Sequence, residues 1–479
     1  MASGRPEEFL IDRNYEFFTP IDIMATFAGI VVISILVYLR MRANADKPYY
    51  RYYARAFYFK MFLAVANITF YIVKYGAGGD SIGFWDGAVK LNNLFFYDPV
   101  YYFKEIFEVG FEGVRSPHVH FNSETGYPDG HIYEEESSFF VSKVASFFGF
   151  FTFKGYILMS IIFTYMTTNI SMRLFEFIRE YKLHTDQHLA LAIFFIPSLS
   201  FWCAGISKDT LMWWAVCYFI VNVFRIITPE SDHSWRNWTM VFISVYLMLK
   251  VRSFMLVTVL VPLLYAYSAR IGKKYGAKSF ERTGIRILFA GLGLAGILIF
   301  FQTPIAKGFI DEAAVIHQDM TTNKSYTGAK YNLEVTDYSP AGMVKAFPAS
   351  VVAGFFRPFI WEALSFSFIF DGIQGTVLIY FMVRFLFHHR FRKRIAHIRD
   401  NEILIYGFFF ALILAFFAGF TSILFGVLVR FKAPVLPFLV LVLTGHVKWE
   451  EKNKGEKSEE ERAVLDTSRL RRDTRSADE

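Results

Sequence analysis

Apolar residues in this chain come in long runs separated by short charged segments, without the spaced pattern of a soluble amphipathic helix or half-buried strand. The first run, Ile21–Leu39, is long enough at about 1.5 Å per residue to cross a hydrocarbon core of about 30 Å. Arg40, Arg42, Lys47, Arg51 and Arg55 follow it, so the positive-inside rule assigns this turn to the cytoplasm and the N-terminus to the outside. Ala56–Tyr75 returns outward and delivers Gly78-Gly79-Asp80-Ser81 to an external loop over residues 76–137. Ser138–Phe151 is too short to span upright and is interrupted by Lys143, which predicts an interfacial helix on the outer surface. Lys154–Phe177 then crosses inward, Leu189–Ile206 outward with a kink at Pro197, and Thr210–Ile227 inward. Asn237–Lys250 and Ser253–Ala269 read as two half-spans whose tip carries Lys250 and Arg252. Ile287–Ile305 crosses outward to a second external loop over 306–356, and Ala363–Phe387, Ile403–Thr421 and Leu424–Thr444 complete the set.

This pattern predicts an all-α polytopic integral membrane protein of about eleven spans, N-terminus outside and C-terminus cytoplasmic, with large external loops and interfacial helices. Residues 1–20 form an external lead without a signal-peptide pattern, 21–445 the membrane domain, and 446–479 a mixed-charge cytoplasmic tail poor in apolar residues and expected to be disordered.

Composition agrees: of 479 residues 54% are hydrophobic and only 19% charged, which excludes an ordinary soluble enzyme. The net charge of +7 sits in segments flanking apolar runs, so topology and anionic headgroups explain it and nucleic acid is not expected as a partner. Cys203 and Cys217 both lie in apolar runs, which argues against a disulfide framework or a thiolate metal site.

The predicted topology gathers Asp80, Asp86, Lys208, Asp209, Arg252, Arg357, Glu362, Arg430 and Lys432 on the outer side. Charges near a membrane are costly to desolvate, and their convergence from distant segments suggests a shared cavity. Arginine and lysine suit a phosphate or diphosphate, and a carboxylate suits the removal of a hydroxyl proton. That pairing is what glycosyl transfer from a polyprenyl-phosphate donor to a glycan acceptor needs, with Asp80 or Asp86 as base and the other seven residues binding substrate. Each residue also has a plain structural reading. Asp80 suits turn chemistry, Ser207-Lys208-Asp209 a helix start, and Arg357 with Glu362 a clamp; Arg252, Arg430 and Lys432 suit anchors at helix ends. His118 and His120, with Glu112, Glu124 and Asp129 nearby, permit a metal site, but two histidines alone are a weak signal, and no metal or other cofactor is expected.

The Gly-Gly-Asp-Ser stretch, the segment from Pro197-Ser198-Leu199-Ser200-Phe201-Trp202 to Ser207-Lys208-Asp209, Arg357-Pro358-Phe359-Ile360-Trp361-Glu362 and Val429-Arg430-Phe431-Lys432-Ala433-Pro434 resemble polytopic bacterial polysaccharide polymerases of the Wzy and EpsG type and membrane glycosyltransferases of the GT-C type. The resemblance runs from about Gly76 to Pro437 in short motifs. It implies an inner-membrane enzyme of envelope polysaccharide assembly. The candidate base is an acid on the first external loop, Asp80 or Asp86, and Arg252, Arg357 or Arg430 would bind the lipid diphosphate. The chain departs from the paired acids of many GT-C enzymes, because Asp80 and Asp86 stand six residues apart. The rival classes are a transporter or flippase of lipid-linked glycans and a structural subunit docking other envelope-assembly proteins; no internal repeat of the transporter kind is visible.

Overall fold

The computed structural model describes residues 19–74, 79–108, 116–228, 234–274, 339–363 and 366–445, with isolated positions between 284 and 337. The lead before residue 19, most of the crossing expected over Ile287–Ile305, the second external loop up to residue 328 and the tail 446–479 lie outside the described residues, as do Gly78, Glu112 and Arg115.

Among the described residues all regular structure is helical. Helix α1 (Pro20–Ala43) starts where Thr19 caps it, the hydroxyl accepting from the Asp22 amide at 3.1 Å, and ends with Arg40 and Arg42 at its negative dipole end. Helix α2 (Arg51–Lys74) precedes α3 (Asp80–Tyr97) and α4 (Pro99–Phe107), and short α5 (Gly130–Glu134) leads into α6 (Glu136–Gly149). Then come α7 (Tyr156–Glu180), α8 (Asp186–Phe194), α9 (Pro197–Trp202), α10 (Lys208–Ile227), α11 (Trp235–Val251) and α12 (Phe254–Lys274). The last group is α13 (Pro340–Phe356), α14 (Phe366–Leu386), α15 (Phe391–Asp400), α16 (Glu402–Thr421), α17 (Phe425–Lys432) and α18 (Val435–Thr444).

Five of these helices are long and apolar enough to cross a membrane, falling within α1, α2, α10, α14 and α16, and a sixth follows if α17 and α18, bent by 57°, form one span. The described residues are thus all-helical, with several helices suited to a membrane. Helix α16 is central, 78% of its most apolar window being buried, whereas only 11% of α1's is, so α1 lies at the periphery with its apolar side chains exposed. A buried polar contact ties three helices at the centre of the first half. Lys60 Nζ on α2 and Trp213 Nε1 on α10 each donate to Ser171 Oγ on α7 at 2.9 Å.

Three local readings change. Gly79-Asp80 is a helix start, not a loop: Gly79, at φ 91°, takes a backbone conformation open to glycine, and Asp80 begins α3 at its positive dipole end. Pro197 breaks the expected span Leu189–Ile206 into α8 and α9, since its ring removes an amide from the helix ladder. The helix expected over Ser138–Phe151 runs instead over Glu136–Gly149 as α6, which packs against α3 and buries Lys143, whose ammonium meets Glu108 Oε1 at 2.8 Å.

Helix α13 packs on α16 through small residues: a Cβ at Gly354 would strike the Ala415 carbonyl, and one at Gly419 the Ser350 carbonyl. Neither contact has a flexible side chain to yield, so Gly354→Ala and Gly419→Ala should each destabilise by about 1–3 kcal/mol. Thermal unfolding in detergent checks this, with Gly284→Ala, where nothing lies within 4 Å, as the silent control.

Candidate functional site

Burying a charge requires a counter-charge, and the chain satisfies this at one cavity of about 310 Å³. Its charged groups come from five places in sequence: Asp80 on α3, His131 and Glu135 around α5, Lys208 and Asp209 at the start of α10, Lys250 and Arg252 at the α11–α12 break, and Arg430 on α17, beside Phe431. Each charged residue is set by a local feature. Ser207 caps α10, its hydroxyl accepting from the Thr210 amide at 3.1 Å, which fixes Lys208 and Asp209 in the first turn. Arg252 has extended backbone where α11 ends, so its side chain leaves the helical ladder.

The pairings run across the cavity. Arg430 Nη1 donates to Asp80 Oδ2 at 2.8 Å, and Arg252 Nη1 to Asp209 Oδ1 at 2.7 Å. Lys208 Nζ pairs with Glu135 and donates to Ser137 Oγ at 2.8 Å. Lys250 pairs with Glu136 and, at 3.2 Å, with Glu108. Aromatic faces back the guanidinium groups: Arg252 lies 4.1 Å from the Phe431 ring centre and Arg430 5.8 Å from that of Trp202. Burial alone would raise the Asp80 carboxyl, but the charge and hydrogen bond of Arg430, with Lys208 and His131 nearby, hold it below the ordinary aspartate range. Glu135 behaves alike: burial pulls it up, and Lys208 with Ser137 and Ser138 brings it down. The site is thus a set of ionised carboxylates held by cations, able to exchange partners with an incoming anion.

Of the nine residues singled out from sequence, the cavity unites Asp80, Lys208, Asp209, Arg252 and Arg430. Asp86 is elsewhere. Because the segment is helical, six residues turn Asp86 by about 240° from Asp80, and it is buried beside Lys90 at 3.6 Å. Arg357, Glu362 and Lys432 form a separate cluster. Arg357 Nη2 lies 3.3 Å from Glu362 Oε1, as a clamp, and buried Lys432 donates to the Arg357 carbonyl at 2.6 Å. Two residues on a helix face about 200° apart, which separates Lys432 from Arg430. Glu135, His131, Ser137 and Lys250 were not among the expected site residues, although the run Glu134-Glu135-Glu136 before an apolar helix and the charged half-span tip were both visible signals. His120 is held by Glu105 at 2.7 Å and the His118 ring lies tilted 4.7 Å from that of Tyr127; among the described residues no three His, Cys, Asp or Glu gather as a metal cage.

Compared with protein-family models, curated proteins and solved structures, the chain gives no match.

Burial pushes the Asp86 carboxyl up to about 6, with Lys90 opposing. An unfolded aspartate titrates near 3.9, so the folded state carries an ionisation penalty at neutral pH that fades as pH falls through the folded value. Asp86→Asn should therefore raise the melting temperature at neutral pH, by an amount equivalent to at most about 2–3 kcal/mol, and the gain should shrink toward pH 4. Melting curves across that range check it; a gain independent of pH would mean Lys90 keeps the carboxylate charged at its ordinary value.

Proposed function

We propose that the chain is a membrane glycosyltransferase of the polysaccharide-polymerase kind, acting at the external face of a bacterial inner membrane on a polyprenyl-diphosphate-linked glycan. The observation that carries this reading is the convergence on one cavity of three carboxylates, Asp80, Glu135 and Asp209, and four cations, Lys208, Lys250, Arg252 and Arg430. Its volume of about 310 Å³ is at the small end of ligand pockets, enough for a sugar and a diphosphate with the polyprenyl tail left in the bilayer. The eleven-span topology, with the N-terminus outside and the tail in the cytoplasm, belongs to the same proposal and gives the cavity its external face. The acceptor is a second glycan, and the reaction uses no metal.

In this mechanism Arg430 and Arg252 receive the diphosphate of the donor, bidentate geometry favouring the phosphate oxygens. As Arg430 turns to the phosphate, Asp80 loses its counter-charge and becomes a stronger base. The acceptor hydroxyl oxygen then bonds to the anomeric carbon, its proton passes to Asp80, and the bond from that carbon to the phosphate oxygen breaks with its electron pair on the leaving diphosphate. The cations stabilise the charge that develops there. Asp80 is favoured over Asp86 because only Asp80 lines the cavity.

Purified protein in lipid nanodiscs, given polyprenyl-diphosphate oligosaccharide and read by mass spectrometry, tests the reading. Wild type should lengthen the glycan and release polyprenyl diphosphate. Asp80→Asn should lose at least about 100-fold in turnover while still binding donor, and Asp86→Asn should retain activity. Arg252→Ala should weaken donor binding. Donor binding without turnover, together with movement of labelled donor across vesicles, would replace the enzyme with a carrier of lipid-linked glycans.

A further inference from the structure

Helix α10 carries the first cavity at its N-terminal end; at its C-terminal end, about 25 Å along the axis, a second cavity of about 800 Å³ opens. Four helices each contribute one arginine to it: Arg173 on α7, Arg225 on α10, Arg236 on α11 and Arg270 on α12. Two carboxylates, Glu180 and Glu402, answer them, and both pairings are loose, at 4.0 Å from Arg225 and 3.9 Å from Arg270. These contrast with the 2.7 and 2.8 Å pairs of the first cavity. Four guanidinium groups against two carboxylates leave an excess of two positive charges on the lining. The bias toward basic residues at cytoplasmic boundaries accounts for cations in loops; it does not require arginines from four helices to converge on one concavity.

The groups are also arranged for an anion. Arg270 Nη1 donates to Thr228 Oγ1 at 2.9 Å, and Arg173 lies over the Tyr218 ring at 5.4 Å, so each is oriented while its remaining N–H donors can meet a ligand. Trp235 and Trp238 are exposed by 74% and 58% at the start of α11, beside Arg236. Exposed tryptophans at a helix end mark the headgroup level of a bilayer. We propose that this cavity is a second ligand site, binding a phosphate-bearing anion at the membrane face opposite the first cavity. The shared chemistry is a phosphate gripped by arginine forks, presented by an anionic phospholipid headgroup or by a soluble phosphate. The proposal is independent of the glycosyl-transfer reading.

The full chain would be purified into phosphatidylcholine nanodiscs, with or without phosphatidylglycerol, and separately titrated with inorganic diphosphate. Retained lipid would be counted by native mass spectrometry and stability followed by thermal melting. Wild type should bind or be stabilised by at least one of these two probes, and Arg173→Gln with Arg236→Gln should weaken that response about tenfold. Arg236→Lys, which keeps the charge and loses the fork, should fall between them and guards against a double variant that folds poorly. Arg399→Gln, at a side chain 54% exposed on α15, should change nothing. A phosphatidylglycerol response alone that falls in the Arg173→Gln, Arg236→Gln variant assigns the site to a lipid headgroup, and a diphosphate response that falls in that variant assigns it to a soluble anion. No response to either probe, a response that this variant leaves unchanged and that therefore belongs to the first cavity, or an equal loss in Arg399→Gln, would overturn the site.

Discussion

A carboxylate drawn toward a protein interior is stabilised by a cation, and here that demand joins segments 350 residues apart, with half-exposed Asp80 at the start of α3 bonded to Arg430 on α17. The Asp209–Arg252 pair does the same between α10 and the α11–α12 break, and Lys208–Glu135 ties α10 to the end of α5. Removing one member of the buried Asp209–Arg252 pair strands the other at a cost of about 3–5 kcal/mol, so this pair and the packing around it form one system. The charges that equip the site for chemistry are the same ones that register its walls.

Interruptions in helices supply the positions for these charges. Arg252 sits where α11 stops and α12 begins, Pro197 separates α8 from α9, and a 57° bend divides α17 from α18 next to Arg430. In a bilayer, irregular backbone is tolerated only inside protein or along a polar cavity, which explains why breaks and ion pairs coincide.

The apolar runs made the all-helical membrane class plain, and charge at their ends made the cavity half legible: Asp80, Lys208, Asp209, Arg252 and Arg430 could be named from their places in the sequence. What escaped was rotation about helix axes. With the segment after Gly79 taken as a loop, Asp80 and Asp86 looked equivalent; as a helix, it turns them to different surroundings. The same geometry parts Arg430 from Lys432. Glu135 was hidden for another reason, because its role comes from a neighbour 73 residues away, a distance that no local pattern reports. The pairing of buried Lys143 was hidden in the same way, because its partner, Glu108, lies 35 positions earlier.

Trp202 gives the first cavity an optical property. Its ring, only 7% exposed, lies 5.8 Å below the Arg430 guanidinium, and indole emission is sensitive to a positive charge over its face. Any anion that draws Arg430 away from Asp80 changes the field on that indole. With the other seven tryptophans replaced by phenylalanine, the colour of Trp202 would register occupancy of the site in real time, without a label and before any bond is made or broken.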